Sequence, residues 1–431
     1  MQNNSMPNNL ADWLKYIDTI SFTKIDLGLE RITAVAAKLD LLKPDAFVVT
    51  VAGTNGKGST CAYLGSILQA CDLRVGIYSS PHLFKFNERI SINGMWASDD
   101  ELCEAFTAIE EVRSELNITL TYFEFSTLAA LWLFSSTKLD VIILEVGLGG
   151  RLDAVNIIDA NLAIITSIGL DHTEWLGNTH AQIVSEKLGI VRPNIPIIYG
   201  DVNPPQIVLD TIGGDSNFYL SSRDYQFKLN TKDRSKFNYV SENYKFDNLP
   251  NPGLLSSAAS AVCAATIICP DIEQEFISDG LQVAYIPGRL ELHKAYIKGK
   301  LLYVIFDVAH NPPAVQFLAN NLQELNILTP NNKLYAVFSI LNDKDLPAML
   351  EVMPKIESFA ISELGCDRTQ KIEVIKHNLQ QVKANFSEHQ NIADALHYQI
   401  NQADDNDVIV IFGSFYVVSE AKQAFKQLQV K

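Results

Sequence analysis

Short apolar runs rich in β-branched residues recur along the first half of the chain: AFVVTVAG (46–53), RVGIYSS (74–80), DVIILEVG (140–147), LAIITSIG (162–169) and IPIIYG (195–200). Helical patterns alternate with them, and that alternation predicts βαβ units around a parallel sheet. A helix of about 14 residues is predicted from Ser59, and Ser98 with Glu101 forms a capping-box pair opening another that runs to about Glu115. From Ser221 to Asn248 the charge density rises and DYQFKLN and KFNYVSENYKF alternate, which predicts a small antiparallel excursion. Helices follow over 254–268 and 272–284, and IPGRLEL reads as a connector entering a new strand. Beyond it, strands are predicted at 301–307, 333–338, 357–361 and 407–412, with helices near 313–326, 343–353, 390–402 and 416–428. The fold class is α/β: a doubly wound N-terminal domain over 1–286 and a smaller α/β domain over 287–431, a pairing that commonly places a ligand in the cleft between domains.

Composition narrows the chemistry. The chain has 431 residues, 47% hydrophobic and 19% charged, within the globular range. With Lys+Arg 34 against Asp+Glu 50 the net charge is −16, which argues against nucleic acid or anionic lipid as a general partner. An anionic ligand must therefore meet a local cluster of donors. The six cysteines (Cys61, Cys71, Cys103, Cys263, Cys269, Cys366) contain no CxxC pair and read as reduced residues of a cytoplasmic protein. The N-terminal MQNNSMPNNLADW has neither the basic start nor the apolar run of a secretory signal, and Leu254–Cys269 is too short to span a membrane.

The strongest local signal is VTVAGTNGKGSTCAYLGSIL (49–68): an apolar strand, a glycine-rich turn containing Lys57, then Ser59 and Thr60 opening a helix. Strand, turn and helix N-terminus make a cradle of backbone N–H groups for phosphate, with Lys57 neutralising charge and the Ser59 hydroxyl available to Mg²⁺. The strict GxxxxGK[ST] pattern fails, because Val51 stands at the first glycine position and Gly58 separates Lys57 from Ser59. Hard-oxygen metal ligands are expected at strand ends, where Ser79, Ser80, Glu145, Asp171 and His172 occur. Lys187, in VSEKLGIV, is either a snorkelling surface lysine or a group that meets an anion or is modified. GLGGRLDAVN (147–156) reads as a mobile loop over the metal site, with Arg151 and Asp153 facing substrate. In the second domain, VIFDVAHNPPA (304–314) sets Asp307, His310 and Asn311 beyond a strand, and Arg289 stands on the connector.

GTNGKGS, YSSPHL, TYFEFST, LEVGLGGRLDAVN, LDHTEWLG, EKLGI, PGRLEL, FDVAHNP and FGSFYVVSEA occur in the order found in folylpolyglutamate synthases. Over nearly its whole length the chain resembles most the bifunctional dihydrofolate synthase/folylpolyglutamate synthases, relatives of the Mur amide ligases. The resemblance implies ATP-dependent addition of L-glutamate to dihydropteroate and to reduced folates through an acyl phosphate, by a monomeric enzyme using ATP and two Mg²⁺ ions. It implies ATP contacts at Thr54, Asn55, Gly56, Lys57, Gly58 and Ser59, and at Arg289, Asp307 and His310. It also implies Mg²⁺ near Ser59, Ser80, Glu145 and His172, a carbamylated Lys187, and catalytic parts for Lys57, Glu145, His172 and Lys187. Pterin contacts are implied at Lys24, Ile25, Asp26, Leu27 and Gly28, at Thr121, Tyr122, Phe123 and Glu124, and at Leu152, Asp153 and Ala154. At Ser257 the relatives carry an asparagine that contacts ATP; serine has a shorter reach. Alternatives are a synthase that only extends folate tails, or a Mur-type ligase with another acceptor. A nucleotide-gated binding protein would not need Glu145, His172 and Lys187 together, and a small-molecule kinase would not need a second domain for an incoming amine.

Overall fold

Burial and strand propensity coincide in two separate sheets, each the centre of one unit, Met1–Tyr285 and Ile286–Lys431. The computed structural model describes residues 6–21, 26–169, 173–177, 179–212, 217–324, 328–329 and 332–429. Two helices, α1 (Leu10–Ile20) and α2 (Glu30–Lys38), precede the first strand. Their apolar stripes are narrow: Leu10, Trp13 and Ile17 on one, Ile32, Val35 and Ala36 on the other. The strand β1 (Phe47–Ala52) is followed by α3 (Lys57–Ala70), β2 (Val75–Tyr78), β3 (Ile90–Ile92), β4 (Met95–Trp96), α4 (Asp99–Glu115) and α5 (Tyr122–Ser135). Then come β5 (Val141–Glu145), β6 (Leu162–Ile165), α6 (Thr173–Leu176), α7 (His180–Leu188), β7 (Ile197–Tyr199), α8 (Gln206–Ile212) and β8 (Phe218–Leu220).

The strand order is β4-β3-β2-β5-β1-β6-β7-β8. Six strands, from β2 across to β8, run parallel, but β3 lies antiparallel to β2 and β4 antiparallel to β3, so the expected all-parallel sheet is corrected at one edge. The cause is local. Asn93 and Gly94 both take positive φ, the backbone of a tight hairpin turn, and Asn-Gly is a strong hairpin signal that the apolar pattern alone passes over. Inside the sheet β1 lies between β5 and β6, and the chain changes direction across it. Open α/β sheets bind ligands at the carboxyl ends of strands beside such a reversal.

The anticipated helix after β1 has the expected 14 residues but starts at Lys57, two residues before Ser59. α4 opens with the expected capping box, Ser98 accepting from Glu101 N–H while Glu101 accepts from Ser98 N–H at 2.7 Å. The antiparallel excursion is a three-stranded sheet of β9 (Tyr225–Leu229), β10 (Lys236–Ser241) and β11 (Lys245–Pro250). After it, α9 (Leu255–Ile268) and α10 (Gln274–Val283) pack against α3. Among the described residues no helix is long and apolar enough to cross a membrane.

The second unit begins with a hairpin of β12 (Glu291–Ile297) and β13 (Lys300–Phe306), turned at Lys298 and Gly299. Next are α11 (Pro312–Glu324), β14 (Leu334–Phe338), α12 (Leu346–Val352), β15 (Ser358–Ile361) and α13 (Ile372–Gln381). The chain continues through β16 (Phe386–Glu388), α14 (Ile392–Gln402), β17 (Val408–Phe412) and α15 (Phe415–Gln429). The sheet order is β12-β13-β17-β14-β15-β16, parallel except for the hairpin. Two elements of this unit were not expected: β16, only three residues long, and α13, whose apolar residues Ile372, Ile375 and Leu379 do stand at helical spacing.

α10 crosses α3 so closely at Gly280 that an added Cβ would lie 2.4 Å from the Ile67 Cα, a backbone atom that cannot swing aside. Gly280→Ala is expected to cost about 1–3 kcal/mol, as overpacking does, and to lower the urea midpoint of the first unit. Gly365→Ala, where the new methyl meets nothing within 4 Å, is the control and should leave the midpoint in place.

Candidate active site

The turn after β1 is built where only glycine fits. At Gly53 (φ +149°) a Cβ would stand 1.9 Å from Thr166 Oγ1, and at Gly56 (φ +86°) it would stand 2.7 Å from Ser257 Oγ. Gly56 is the N-cap of α3, and the first bond into that helix is Thr60 N–H to Gly56 O at 2.9 Å. The N–H groups of Lys57, Gly58 and Ser59 thus have no partner within the helix, and its positive end faces the turn. The segment beyond β6 anchors the turn: Thr54 N–H donates to Ser167 O (2.9 Å), Asn55 N–H to Ser167 Oγ (3.2 Å) and Thr166 Oγ1 to Asn55 O (2.7 Å). The Thr54 hydroxyl donates to Gly169 O (3.1 Å) and accepts from Gly169 N–H (2.9 Å). Ser257, buried on α9, donates to Gly56 O at 3.2 Å, so its hydroxyl supports the turn itself.

Charged groups gather on the same loop. Lys57 Nζ folds back to donate to Gly53 O (3.1 Å) and Thr54 O (3.4 Å). Lys187 is only 5% exposed and its Nζ donates to the same Gly53 O at 2.9 Å, which excludes the snorkelling reading. It is brought inward because α7 presses its last turn against Gly150, where a Cβ would meet Glu186 O at 2.6 Å. Glu145, buried at the end of β5, stands beside Val51 in the sheet register and accepts Ser80 N–H at 3.0 Å. A Cβ on Gly58 would lie 3.4 Å from its Oε2, so this carboxylate faces the first turn of α3. Ser59 Oγ is buried without a hydrogen-bond partner. A buried carboxylate beside an orphaned hydroxyl suits a hard divalent cation, so Ser59 and Glu145 fit the metal expected there, with Ser80 adjoining through the N–H it gives Glu145. Ser79 N–H is taken by Arg89 O at 2.8 Å. Asp171 and His172 lie outside the described residues. Among those described, no three His, Cys, Asp or Glu side chains form a metal-holding cluster.

The 147–156 loop departs from expectation. Asp153 was expected to face substrate, but it is buried with both oxygens turned into the loop: Oδ2 accepts Leu148 N–H (2.7 Å) and Oδ1 accepts Val155 N–H (3.1 Å). Burial raises its pKa to about 6 against the pull of these donors. Arg151 pairs with Glu186 at 2.7 Å, and Asn156 Nδ2 donates to Arg151 O (2.9 Å) and Gly189 O (3.0 Å). The loop is cross-braced rather than free. Ala154 is buried, and Leu152 is half-buried.

Lys24 and Ile25 lie outside the described residues. Asp26 and the exposed Leu27 precede Gly28, and Asp26 pairs with Arg31 at 2.8 Å. The same guanidinium reaches Glu124 Oε1 at 3.1 Å, joining two segments expected to contact pterin. Thr121 and Glu124 spend their side chains on the capping box of α5: Thr121 N–H donates to Glu124 Oε2 (2.7 Å) and Glu124 N–H to Thr121 Oγ1 (3.2 Å). Burial raises the Glu124 pKa. Tyr122 lies under the Arg89 guanidinium (5.6 Å), and Phe123 abuts Gly147, where a Cβ would sit 2.5 Å from its ring. Arg31 and Arg89 were missed as site residues. Their partners are distant in sequence, so no local motif announces them.

In the second unit Asp307 is buried at the end of β13, accepting Leu290 N–H and Ala309 N–H, each at 2.8 Å. Burial raises its pKa while Arg289 lowers it. The Arg289 guanidinium sits 5.7 Å from the Phe415 ring centre, with the His310 ring 6.5 Å from the same phenyl. His310 Nδ1 bonds Val308 O at 2.7 Å, and Asn311 caps α11 by accepting Ala314 N–H at 3.0 Å. A flat cation, an imidazole and a phenyl ring thus share one surface, and Phe415, absent from the expected set, is their common contact.

Residues 288–415 match the profile of the Mur ligase glutamate ligase domain. The chain is 40% identical over 428 residues to the dihydrofolate synthase/folylpolyglutamate synthase of Haemophilus influenzae, spanning 95% of this chain and 96% of that one. The structure of Escherichia coli FolC in complex with DHPP and ADP matches with a TM-score of 0.89 at 36% identity, covering 99% of each chain. A bifunctional folylpolyglutamate synthase/dihydrofolate synthase with Mn, AMPPNP and L-glutamate bound matches at 0.88 and 38% identity, covering 99% of this chain and 100% of that one. On these likenesses, over nearly its full length, the chain belongs to the dihydrofolate synthase/folylpolyglutamate synthase family of Mur ligases.

Proposed function

We propose that the chain is an ATP-dependent acid–amino-acid ligase that adds L-glutamate to dihydropteroate, giving dihydrofolate, and to the glutamate tail of reduced folates. The observation that carries this reading is the convergence of Lys57, Lys187 and the orphaned Ser59 hydroxyl, with Glu145, on the Gly53–Ser59 turn. The substrate carboxylate attacks the γ-phosphorus of ATP and ADP leaves, giving an acyl phosphate. The amine of L-glutamate then adds to the acyl carbon, and the tetrahedral intermediate expels phosphate.

A carboxylate and a triphosphate repel each other, so the first need is positive charge at fixed positions. The free N–H groups of Lys57, Gly58 and Ser59 and the Lys57 ammonium supply it from the protein. Thr54, Asn55 and Gly56 hold the turn in shape. Ser59, Ser80, Glu145 and His172 would hold Mg²⁺ ions, which would supply further neutralisation of phosphate charge. Arg289 and His310, with Asp307 behind them, form the nucleotide surface of the second unit. Asp26, Leu27, Gly28, Tyr122, Phe123, Leu152 and Ala154 border the pterin, while Arg31, Thr121, Glu124 and Asp153 shape those segments from within.

Lys187 is carbamylated in the working enzyme. Two ammonium groups on one carbonyl oxygen repel each other, and converting one to an anion replaces that repulsion by attraction. The N–H left on a carbamate can keep the bond to Gly53 O. The enzyme works in the cytoplasm, as a monomer, on small-molecule substrates.

Purified protein should release phosphate in the presence of ATP and L-glutamate with either dihydropteroate or tetrahydrofolate as acceptor. Release with tetrahydrofolate alone would leave a tail-extending synthase, and release with neither would sink the reading. Glu145→Gln should raise the Mg²⁺ concentration needed for half-maximal turnover, and an unchanged titration would remove Glu145 from the metal. Lys187→Ala should lose most turnover and regain part of it with added formate or acetate. A protein saturated with ¹³CO₂ that shows no carbamate carbon signal would refute the modification.

A further inference from the structure

The turn that carries Arg289 is strained, and two carboxylates hold it. Gly288 has φ +70° and Leu290 has φ +45°, a left-handed backbone that leucine rarely adopts. On one side of Arg289 the Gly288 N–H donates to Glu291 Oε2 at 2.9 Å, and on the other the Leu290 N–H donates to Asp307 Oδ2 at 2.8 Å. The Val308 N–H completes the grip by donating to Gly288 O at 2.9 Å. The Arg289 guanidinium donates no hydrogen bond among the described residues and lies 5.7 Å from the Phe415 ring centre. Its direction is therefore set by the backbone that carries it and by that ring.

Of the two carboxylates, Asp307 lies at the strand end already described, whereas Glu291 sits in a cluster of its own. Lys422 Nζ donates to both of its oxygens, at 2.7 and 2.5 Å, with 12% of the Glu291 side chain and 13% of the Lys422 side chain exposed. His293 Nε2 lies 2.7 Å from Glu291 Oε1, and its ring stands edge-on to Phe306 and Phe425 at 5.6 and 5.5 Å. Burial works to raise the Glu291 pKa, but Lys422, the Gly288 N–H and His293 outweigh it and hold the carboxyl below its ordinary value. Lys422 follows Phe415 on α15 by about two helical turns, so one helix supplies both the ring beside Arg289 and the cation that holds Glu291. We propose that Glu291, fixed by Lys422, is a positioning residue that sets the aim of Arg289 at the nucleotide. The role rests on the reading of Arg289 as part of the nucleotide surface.

An apolar pair of similar size would fill this space at no greater cost, because removing two charges from water offsets most of their attraction. It could not accept the Gly288 N–H. Without that acceptor Leu290 is free to relax to negative φ, and Arg289 turns with it.

The test uses the full chain, with titration calorimetry of ADP and Mg²⁺ and with KM measured for ATP and for L-glutamate. Glu291→Ala should weaken ADP binding and raise KM for ATP about tenfold, with kcat and KM for L-glutamate within about twofold of the unaltered protein. Glu291→Gln, which keeps an oxygen for the Gly288 N–H, should recover most of the loss. Arg289→Ala should weaken ADP binding at least as much, and adding Glu291→Ala to it should cost nothing further, as expected of two residues that act as one unit. Unchanged ADP affinity in a folded Glu291→Ala protein, or a loss that adds in full to that of Arg289→Ala, would overturn the positioning role. Should Glu291→Ala fold poorly, Lys422→Met decides in its place: its loss of ADP affinity must also vanish in the Arg289→Ala background, and no loss or an additive one counts against the role. Normal ADP binding by Arg289→Ala would remove Arg289 from the nucleotide surface and the positioning role with it. A lack of phosphate release with either folate acceptor, by contrast, would sink the proposed ligase reaction while the ADP titrations still decide the role of Glu291.

Discussion

The first unit depends on a turn whose backbone has almost no room. Between β1 and α3 the chain passes through two positions where any side chain would strike a neighbour, Gly53 against Thr166 and Gly56 against Ser257. That crowding is what aims the free amides of the α3 N-terminus. A wider turn would satisfy them with water and lose their common direction. The same crowding places the Gly53 carbonyl where both Lys57 and Lys187 reach it, so one backbone oxygen organises the two candidate cations.

Buried carboxylates do two kinds of work here. Asp153 accepts two backbone N–H groups within its own loop, while Asp307 accepts one from its own loop, Ala309, and one from the connector, Leu290, and so ties the two segments together. Desolvation works against the charged form in both, raising Asp153 to about 6. The compensating donors are backbone N–H groups at 2.7–3.1 Å, which is the arrangement that lets a carboxylate remain inside. Glu145 differs. It accepts Ser80 N–H while facing the first turn of α3. A side chain that closes its own loop shapes a site, and one that faces across the sheet is placed to meet a ligand.

A large part of the architecture was legible along the chain because it is local. β-branched runs mark the central strands, and the capping box at Ser98 and Glu101 marks the start of α4. The turn containing Lys57 is legible for the same reason, since glycine, lysine and hydroxyl residues in sequence supply the cradle without help from elsewhere. The β3–β4 hairpin was also encoded locally, at Asn93 and Gly94, but its strands are too short to register as an apolar pattern.

Relations among distant residues were not legible, because neither pattern nor motif carries them. Periodicity left Lys187 open between a surface lysine and one that meets an anion or is modified; it is buried because Gly150 lets α7 approach. Arg31 joins Asp26 to Glu124, and Phe415 comes beneath Arg289 and beside His310, by folding alone. Asp153 sits in a motif that reads as substrate-facing, yet its oxygens turn into the loop because buried N–H groups must be satisfied first. The sequence by itself determined the central strands, the helices beside them and the chemical types that gather at strand ends. The tertiary structure decided which of those groups point at one another, since burial and hydrogen-bond satisfaction are settled only when all the neighbours are in place.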